Sequence, residues 1–460
     1  MGSAKTRTSN PTRTREPASF RDPEARVVYS ADGEVLRELS RRAREDWEVL
    51  ERSRFFRRAL EDGRIVATEE VSPGLLRHER VPFVSYPYEW PFEMLREAAV
   101  LQLGLLDEAL AEGFVLKDGT PYNVQWRGTE PVFVDVGSFE RLREGEPWAG
   151  YRQFCTLFLY PLLIQAYRGI APQPWLRGSL EGIKPEQARA LLRGRDVLRR
   201  GVLAHVVLHA RMEAKHAARE RDVRSELKQA GFRKELIQAN VRRLRKLVER
   251  LRPKRGRSAW AEYRESAPYS DEDAERKERF VRDAGPATLV WDLGSNDGRF
   301  ARAVDAGAVV AVDGDERVVG ELYSRLRSEG SRTILPLVVD LADPSPGLGW
   351  LGLERRRLED RGRPDLVLCL ALVHHLAIGR NVPFAELVGW LRGLGARLVI
   401  EFADRQDAMV KRLLAAKRAE THEVYGRDAF EAALGERFAV ERHEQLASGT
   451  RTLYVARPKD

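Results

Sequence analysis

The chain reads as an α/β protein of two folded units joined by a helical connector, and three features of the sequence predict this. After Val290, short apolar runs (LVWDL, VVAVD, ILPLVVD, DLVLCL, RLVIEF) alternate with helix-like stretches, the pattern of a parallel sheet covered on both faces. Before them, ELIQANVRRLRKLVERLR spaces Ile237, Val241, Leu244, Val248 and Leu251 by alternating steps of four and three, as on an amphipathic helix that PKRGR then stops. Nearer the amino terminus, a helix-length apolar face and a strand ending in an acid predict an α+β unit. The expected boundaries are a disordered tail over residues 1–24, the α+β unit over 25–180, a basic helical connector over 181–260 and the sheet unit over 261–460.

The tail, MGSAKTRTSNPTRTREPASF, is polar and rich in Pro, Thr and Arg. It lacks the apolar core of a secretory signal. Residues 154–167, FCTLFLYPLLIQAY, are too few to span a bilayer and include Pro161 and Gln165, so a buried helix is expected there. Two cysteines, Cys155 and Cys369, have no metal-ligand spacing and fit a reducing, cytoplasmic setting. The net charge of +8 is uneven. Residues 189–257 hold 22 Lys or Arg against 7 Asp or Glu, so the basic character belongs to the connector. Such a segment attracts RNA, anionic glycans or lipid headgroups, or is simply a solvated face; aromatic residues for base stacking are not interleaved with it. His205 and His209, one turn apart with His216 beyond, lack the acid of a zinc-protease pattern and are read as surface or hydrogen-bonded residues.

In the amino-terminal unit, SYPYEWPFEMLREAAVLQLGLLDEAL suits a strand followed by a helix with Leu95, Val100, Leu103, Leu106 and Leu110 on its apolar face. Tyr86, Tyr88, Trp90 and Phe92 either line a cleft or pack in the core, and core packing is the simpler reading. Residues 116–139, LKDGTPYNVQWRGTEPVFVDVGSF, place Asp118, then Asn123 five positions on, then a strand ending in Asp135. This loop resembles the catalytic loop and metal strand of protein-kinase-like phosphotransferases, including those acting on aminoglycosides and lipopolysaccharide. The resemblance implies that Asp118 orients the acceptor hydroxyl and that Asn123 and Asp135 hold magnesium on ATP. It is partial: Leu116 stands where a His is usual, and Val136 follows the metal acid. The only lysines before Asp118 are Lys5 and Lys117. No lysine is therefore a candidate for phosphate pairing, Arg64 is a substitute that nothing singles out, and a glycine-rich phosphate loop is not evident.

The turn after the first strand of the sheet unit reads Asp292-Leu-Gly294-Ser-Asn-Asp297-Gly298. A dinucleotide fingerprint would set glycines at its first, third and sixth positions. Here a carboxylate at Asp297 beside a helix N-terminus disfavours a phosphate and tolerates an ammonium group, so a zwitterionic ligand fits better. Asp313 ends the next strand twenty-one residues after Asp292, where an acid accepts ribose hydroxyls. Asp340 ends the third strand. This ordered set resembles the class I S-adenosylmethionine-dependent methyltransferases over about 190 residues. The resemblance implies a seven-stranded Rossmann-like sheet with S-adenosylmethionine at its edge. Gly294, Asn296 and Gly298 would meet the methionine end with Asp292, Asp313 the ribose, and Asp340 and Leu341 the adenine. A Rossmann-like domain for another nucleotide is the alternative.

On the acceptor side stands Ala371-Leu-Val-His374-His375, unlike the acid- or amide-prolines-aromatic motif of base N-methylation. An imidazole at His374 or His375 is suited to take a proton from an acceptor hydroxyl, or one of the pair packs structurally. Glu401 and Asp404 are placed at the rim as acceptor contacts or helix caps. The order of units is similar to bacterial class I methyltransferases described as nodulation-protein-like. With the units reversed, it is also similar to kinase-methyltransferases that cap O-antigen chains, which implies a glycan acceptor. Two functions stand open. One is O-methylation of a small molecule or glycan, with the kinase-like unit phosphorylating or gripping the acceptor. The other is an RNA-binding methyltransferase that docks through the connector and carries a degenerate kinase-like unit.

Overall fold

A computed structural model describes residues 13–217, 233–254, 271–418 and 422–460. We number the strands in chain order. The amino-terminal half begins with β1 (Thr14–Arg15), β2 (Ala25–Tyr29), β3 (Val35–Leu39), β4 (Thr68–Ser72) and β5 (Leu75–His78), one antiparallel sheet in the order β1-β2-β3-β5-β4. Helices Arg41–Leu50 and Arg54–Glu61 lie between β3 and β4. The long helix Phe92–Ala111 follows, its centre so apolar that Ala98, Ala99, Leu103, Leu105 and Leu106 are fully buried. Two small ladders come next: β6 (Phe114–Leu116) pairs with β9 (Phe139–Arg141), and β7 (Val124–Arg127) pairs with β8 (Glu130–Phe133). Tyr86, Tyr88, Trp90 and Phe92 are core residues. The apolar run at 154–167 is a buried helix with a π-helical turn at Cys155–Leu159. No helix among the described residues is long and apolar enough to cross a membrane.

The carboxy-terminal half carries β10 (Ala287–Leu293), β11 (Ala306–Asp313), β12 (Ile334–Val338), β13 (Leu366–Cys369), β14 (Arg397–Ala403), β15 (Phe438–Gln445) and β16 (Arg451–Pro458). They form one seven-stranded sheet in the order β12-β11-β10-β13-β14-β16-β15. The first five run parallel; β16 is antiparallel to β14 and closes the sheet in a hairpin with β15. Val290, Trp291 and Leu293 of β10 are buried on alternate faces because helices cover both sides. The order reverses at β10, whose neighbours are β11 and β13, so the crevice of this sheet opens at the carboxyl ends of those strands. β13 is shorter than its apolar run because Ala371 takes φ +51 and turns the chain into a π-helical turn at His375–Gly379.

Two stretches differ from their sequence reading. Residues 1–12 lie outside the described ones, but 13–24, expected in the tail, form β1 and a 3₁₀ turn at Pro17–Arg21. Composition gives no sign of the cause: Arg21 forks onto Glu354 at 2.6 and 2.8 Å, 333 positions away. Much of the connector does not hang between units. Helix Lys234–Arg250 buries Ile237, Val241, Leu244 and Val248, and Arg242 on its flank pairs with Asp107 of helix Phe92–Ala111.

The halves share one core. Phe83 packs edge-on against Trp291, and Trp126 against Tyr323. Between them Glu89 and Arg361, 1% and 0% exposed, form a two-pronged ion pair at 2.5 and 2.7 Å. Ser345 donates to the same Glu89 carboxylate. Removing one partner of a buried pair strands the other charge. Arg361→Met should therefore lower stability by about 3–5 kcal/mol, seen in urea unfolding of the whole chain as one transition moved to lower urea. Two separated transitions, with only one moved, would refute a shared core.

Candidate functional site

The turn leaving β10 uses its glycines as positive-φ residues, Gly294 and Gly298 both at +77, with Asn296 at +46. The N–H groups of Gly294 and Ser295 both donate to the Val312 carbonyl at 2.9 Å, which folds the turn against the end of β11. A side chain at Gly298 would strike Leu322 at 2.7 Å, so glycine here lets helix Glu316–Ser328 close on the sheet. Asp313 accepts the N–H groups of Asn296 and Asp315 at 3.0 and 2.9 Å. Asp292, 1% exposed, is pushed up to about 7, chiefly by burial and then by the neighbouring Asp313 and Asp297 charges. Burial raises Asp313 as well. Asp292 Oδ2, Ser295 Oγ and Asn296 Oδ1 have no hydrogen-bond partner. The crevice therefore offers unpaired acceptors and crowded acids, which an ammonium group and a diol would satisfy. Asp340 is exposed and held by Arg380 at 2.8 Å, with the half-buried Leu341 beside it.

Across the crevice, Glu401 is not a rim acid: it is fully buried and binds Lys277 Nζ through both oxygens at 2.8 Å. Arg451 bridges Glu401 to Asp407 at 2.8 and 2.7 Å. The second Glu401 oxygen accepts the Ala371 N–H at 3.0 Å and so fixes the positive-φ turn that carries the histidines. Asp404 accepts the Gln406 N–H in a local turn. The His374 and His375 rings lie 4.4 Å apart. His374 is wholly enclosed, with neither ring nitrogen hydrogen-bonded. Burial, His375, Arg451 and Lys277 all hold its pKa well below normal. His375 is half-buried, and burial and Arg451 lower it to about 4. Of the two, His375 alone has exposed surface.

In the amino-terminal half, Asp118 and Asp135 face one another closely enough that burial and the Asp135 charge raise Asp118 to about 6. Asn123 Nδ2 is buried without a partner. Arg37, on β3, donates to Asp135 Oδ1 at 2.7 Å, to the Val134 carbonyl at 3.3 Å and to His78 Nε2 at 3.3 Å. Lys117 pairs with Asp22 at 3.1 Å. Arg64, the substitute cation considered from the sequence, is instead turned to Glu108 and Asp62. The cation on Asp135 is Arg37, and its position on the strand before the first helix was the signal that would have found it. His205 and His209 bond the Tyr151 and Tyr160 hydroxyls at 2.8 and 2.6 Å.

No family model matches the chain. It is 32% identical over 474 aligned residues to the nodulation protein NoeA of Rhizobium meliloti strain 1021, spanning 99% of this chain and 98% of that relative. Among solved structures it is similar to the N-methyltransferase NodS of Bradyrhizobium japonicum WM9, at 16% identity and a TM-score of 0.30 over 42% of this chain and all of that one. It is also similar to a SAM dependent methyltransferase of Aquifex aeolicus, at 15% identity and a TM-score of 0.31 over 44% of this chain and 99% of that one.

Lys277→Met would leave Glu401 with Arg451 alone and loosen the Ala371 turn. The expected loss is about 3–5 kcal/mol in thermal or urea unfolding. An unchanged midpoint would show that Lys277 is not a structural counterion.

Proposed function

This chain belongs to the family of the nodulation protein NoeA, and from the sheet order and the crevice geometry we propose that it is an S-adenosylmethionine-dependent methyltransferase acting on an oxygen of a small molecule or glycan. The observation that carries the reading is Asp292, a buried carboxylate facing a glycine turn without a cation of its own. The residues fit the cofactor. Asp292, with the turn at Gly294, Asn296 and Gly298, would hold the methionine end, Asp313 the ribose, and Asp340 and Leu341 the adenine edge. When bound, the cofactor supplies an already activated methyl group. What is left to the chain is alignment and proton removal. His375 is unprotonated at neutral pH and would accept the acceptor hydroxyl's proton, while Glu401 and Lys277 hold the turn that aims it.

The kinase-like reading of the amino-terminal half rests on the Asp118, Asn123 and Asp135 spacing alone. Magnesium-ATP does not fit these residues, because the Asp135 carboxylate that would hold the ion already holds Arg37. Gripping the acceptor, not phosphorylating it, is the role proposed. RNA as the acceptor is a second reading, favoured by Arg243, Lys246 and Arg250, exposed on the face of helix Lys234–Arg250 away from its buried stripe. RNA labelling that vanishes in high salt would select it, and labelling of a sugar pool would select the first.

Calorimetry with S-adenosylhomocysteine should show one site per chain, weakened roughly tenfold or more by Asp313→Ala through lost hydrogen bonds. Its absence would end the methyltransferase reading. His375→Ala should cut turnover by roughly 10²-fold at unchanged cofactor affinity. The pH dependence separates the two groups. Asp292 must be ionised to take the ligand ammonium, so affinity should fall as pH drops through about 7, and Asp292→Asn should flatten that slope. His375 stays unprotonated down to about 4, so turnover at saturating cofactor should hold to pH 5.

A further inference from the structure

We propose that Arg37 is a built-in replacement for a divalent ion, so that the amino-terminal cleft is a metal-free site locked by the chain's own side chains. The Arg37 guanidinium is 8% exposed and uses all its faces internally. Nη1 reaches Asp135 Oδ1, Nη2 the Val134 carbonyl and Nε the His78 ring. The His78 end is fixed in turn. Thr68 Oγ1 lies 2.9 Å from His78 Nδ1 and donates its own proton to the Val66 carbonyl, so Nδ1 is the protonated nitrogen and Nε2 the acceptor. His78 is therefore neutral, and burial with the Arg37 charge lowers it to about 3. The relay Thr68–His78–Arg37 leaves the guanidinium one orientation, with its charge on Asp135.

A second pair closes the other side. The connection from β1 to β2, residues 16–24, contains no glycine. Its Asp22 carboxylate accepts the Glu24 N–H at 2.8 Å and Lys117 Nζ at 3.1 Å. Lys117 also stands at this cleft, and Asp22 neutralises it. The neighbouring residue, Arg21, is clamped to Glu354 in the other half. A phosphate chain entering here would meet Asp22, Asp118 and Asp135 with Arg37 and Lys117 already engaged. A metal bound at Asp135 would sit against a guanidinium 2.7 Å from the same oxygen.

The test is thermal unfolding of the whole chain with magnesium chloride, ATP, magnesium-ATP and S-adenosylhomocysteine in separate arms. Wild type should melt at one temperature with or without magnesium or magnesium-ATP. Arg37→Ala should melt lower, and magnesium should restore part of the loss, because Asp135 regains a cation. Adding Asp135→Asn should abolish that rescue. Should Arg37→Ala not fold, Arg37→Lys keeps a charge at Asp135 and should melt lower without responding to magnesium. A saturable rise of the wild-type midpoint with magnesium-ATP, removed by Asp135→Asn, would overturn the proposal, as would an Arg37→Ala chain blind to magnesium. The S-adenosylhomocysteine arm reads the other half, so its failure counts against methyl transfer and not against this inference.

Discussion

A carboxylate taken out of water must be given a cation, a proton or a set of N–H donors, and this constraint organises the molecule. Glu89 has Arg361; Glu401 has Lys277 and Arg451; Asp407 has Arg451; Asp135 has Arg37. Each pair joins segments far apart in sequence, so each is also a tether. Asp292 differs from these, buried like them yet raised towards neutrality with an oxygen that no described residue satisfies. A protein that neutralises its buried acids so consistently and leaves one bare beside a glycine turn has left room for a ligand's positive charge. The same rule separates the two clefts. In the proposed reading a ligand brings the cation to the carboxy-terminal crevice, whereas in the amino-terminal cleft Arg37 and Lys117 already sit on the acids.

Local patterns carried much of the fold. The five parallel strands, the closing hairpin, the buried helix at 154–167 and the amphipathic helix at 234–250 all follow from period and punctuation. What escaped was set at long range. Residues 13–24 meet the rest of the chain through pairs such as Arg21 with Glu354 and Glu16 with Arg356, and the halves meet at pairs such as Glu89 with Arg361, 272 positions on. Composition marks the first of these segments as tail-like because its apolar residues are few. Its stability comes from charge pairs that no window along the chain can contain.

The site divides along the same line. Asp292, Gly294, Gly298 and Asp313 lie within one strand-turn-helix-strand unit, so spacing alone brings them together, and the structure gathers them at one edge. Lys277 and Arg451 were invisible because they reach Glu401 across 124 and 50 positions. With them went the true place of Glu401, which looks like a rim acid at the end of a strand and is instead a buried counterion. Two adjacent histidines looked equivalent. On a π-helical turn they point to different surroundings, one enclosed and one half-buried. The kinase-like spacing asks for a lysine, and in the sequence Arg37 is one of many arginines beside Arg64. Arginine suits the place better: its fork serves three acceptors at once, and it keeps its charge where a buried lysine tends to lose its proton.

The union of the halves bears directly on the crevice. Helix Glu316–Ser328 starts three residues after Asp313, and the amino-terminal half lines its whole length. Glu316 accepts the Phe92 N–H and the Gln165 side chain, Gly320 lies against Pro91 and Glu93, Tyr323 donates to the Thr129 carbonyl, and Arg327 pairs with Glu97. The segment after Asp340 is held likewise, through Arg177 on Asp343, Ser345 on Glu89 and Arg361 on Glu89. Both loops that would carry the ribose and adenine contacts are thus anchored outside their own sheet. The turn bearing His375 is anchored from within it, by Lys277, Glu401 and Arg451. One end of the crevice therefore depends on the amino-terminal half for its shape and the other does not. A locked, metal-free cleft suits a half with that task, since a buttress keeps its shape best when it needs no ion or nucleotide to complete it.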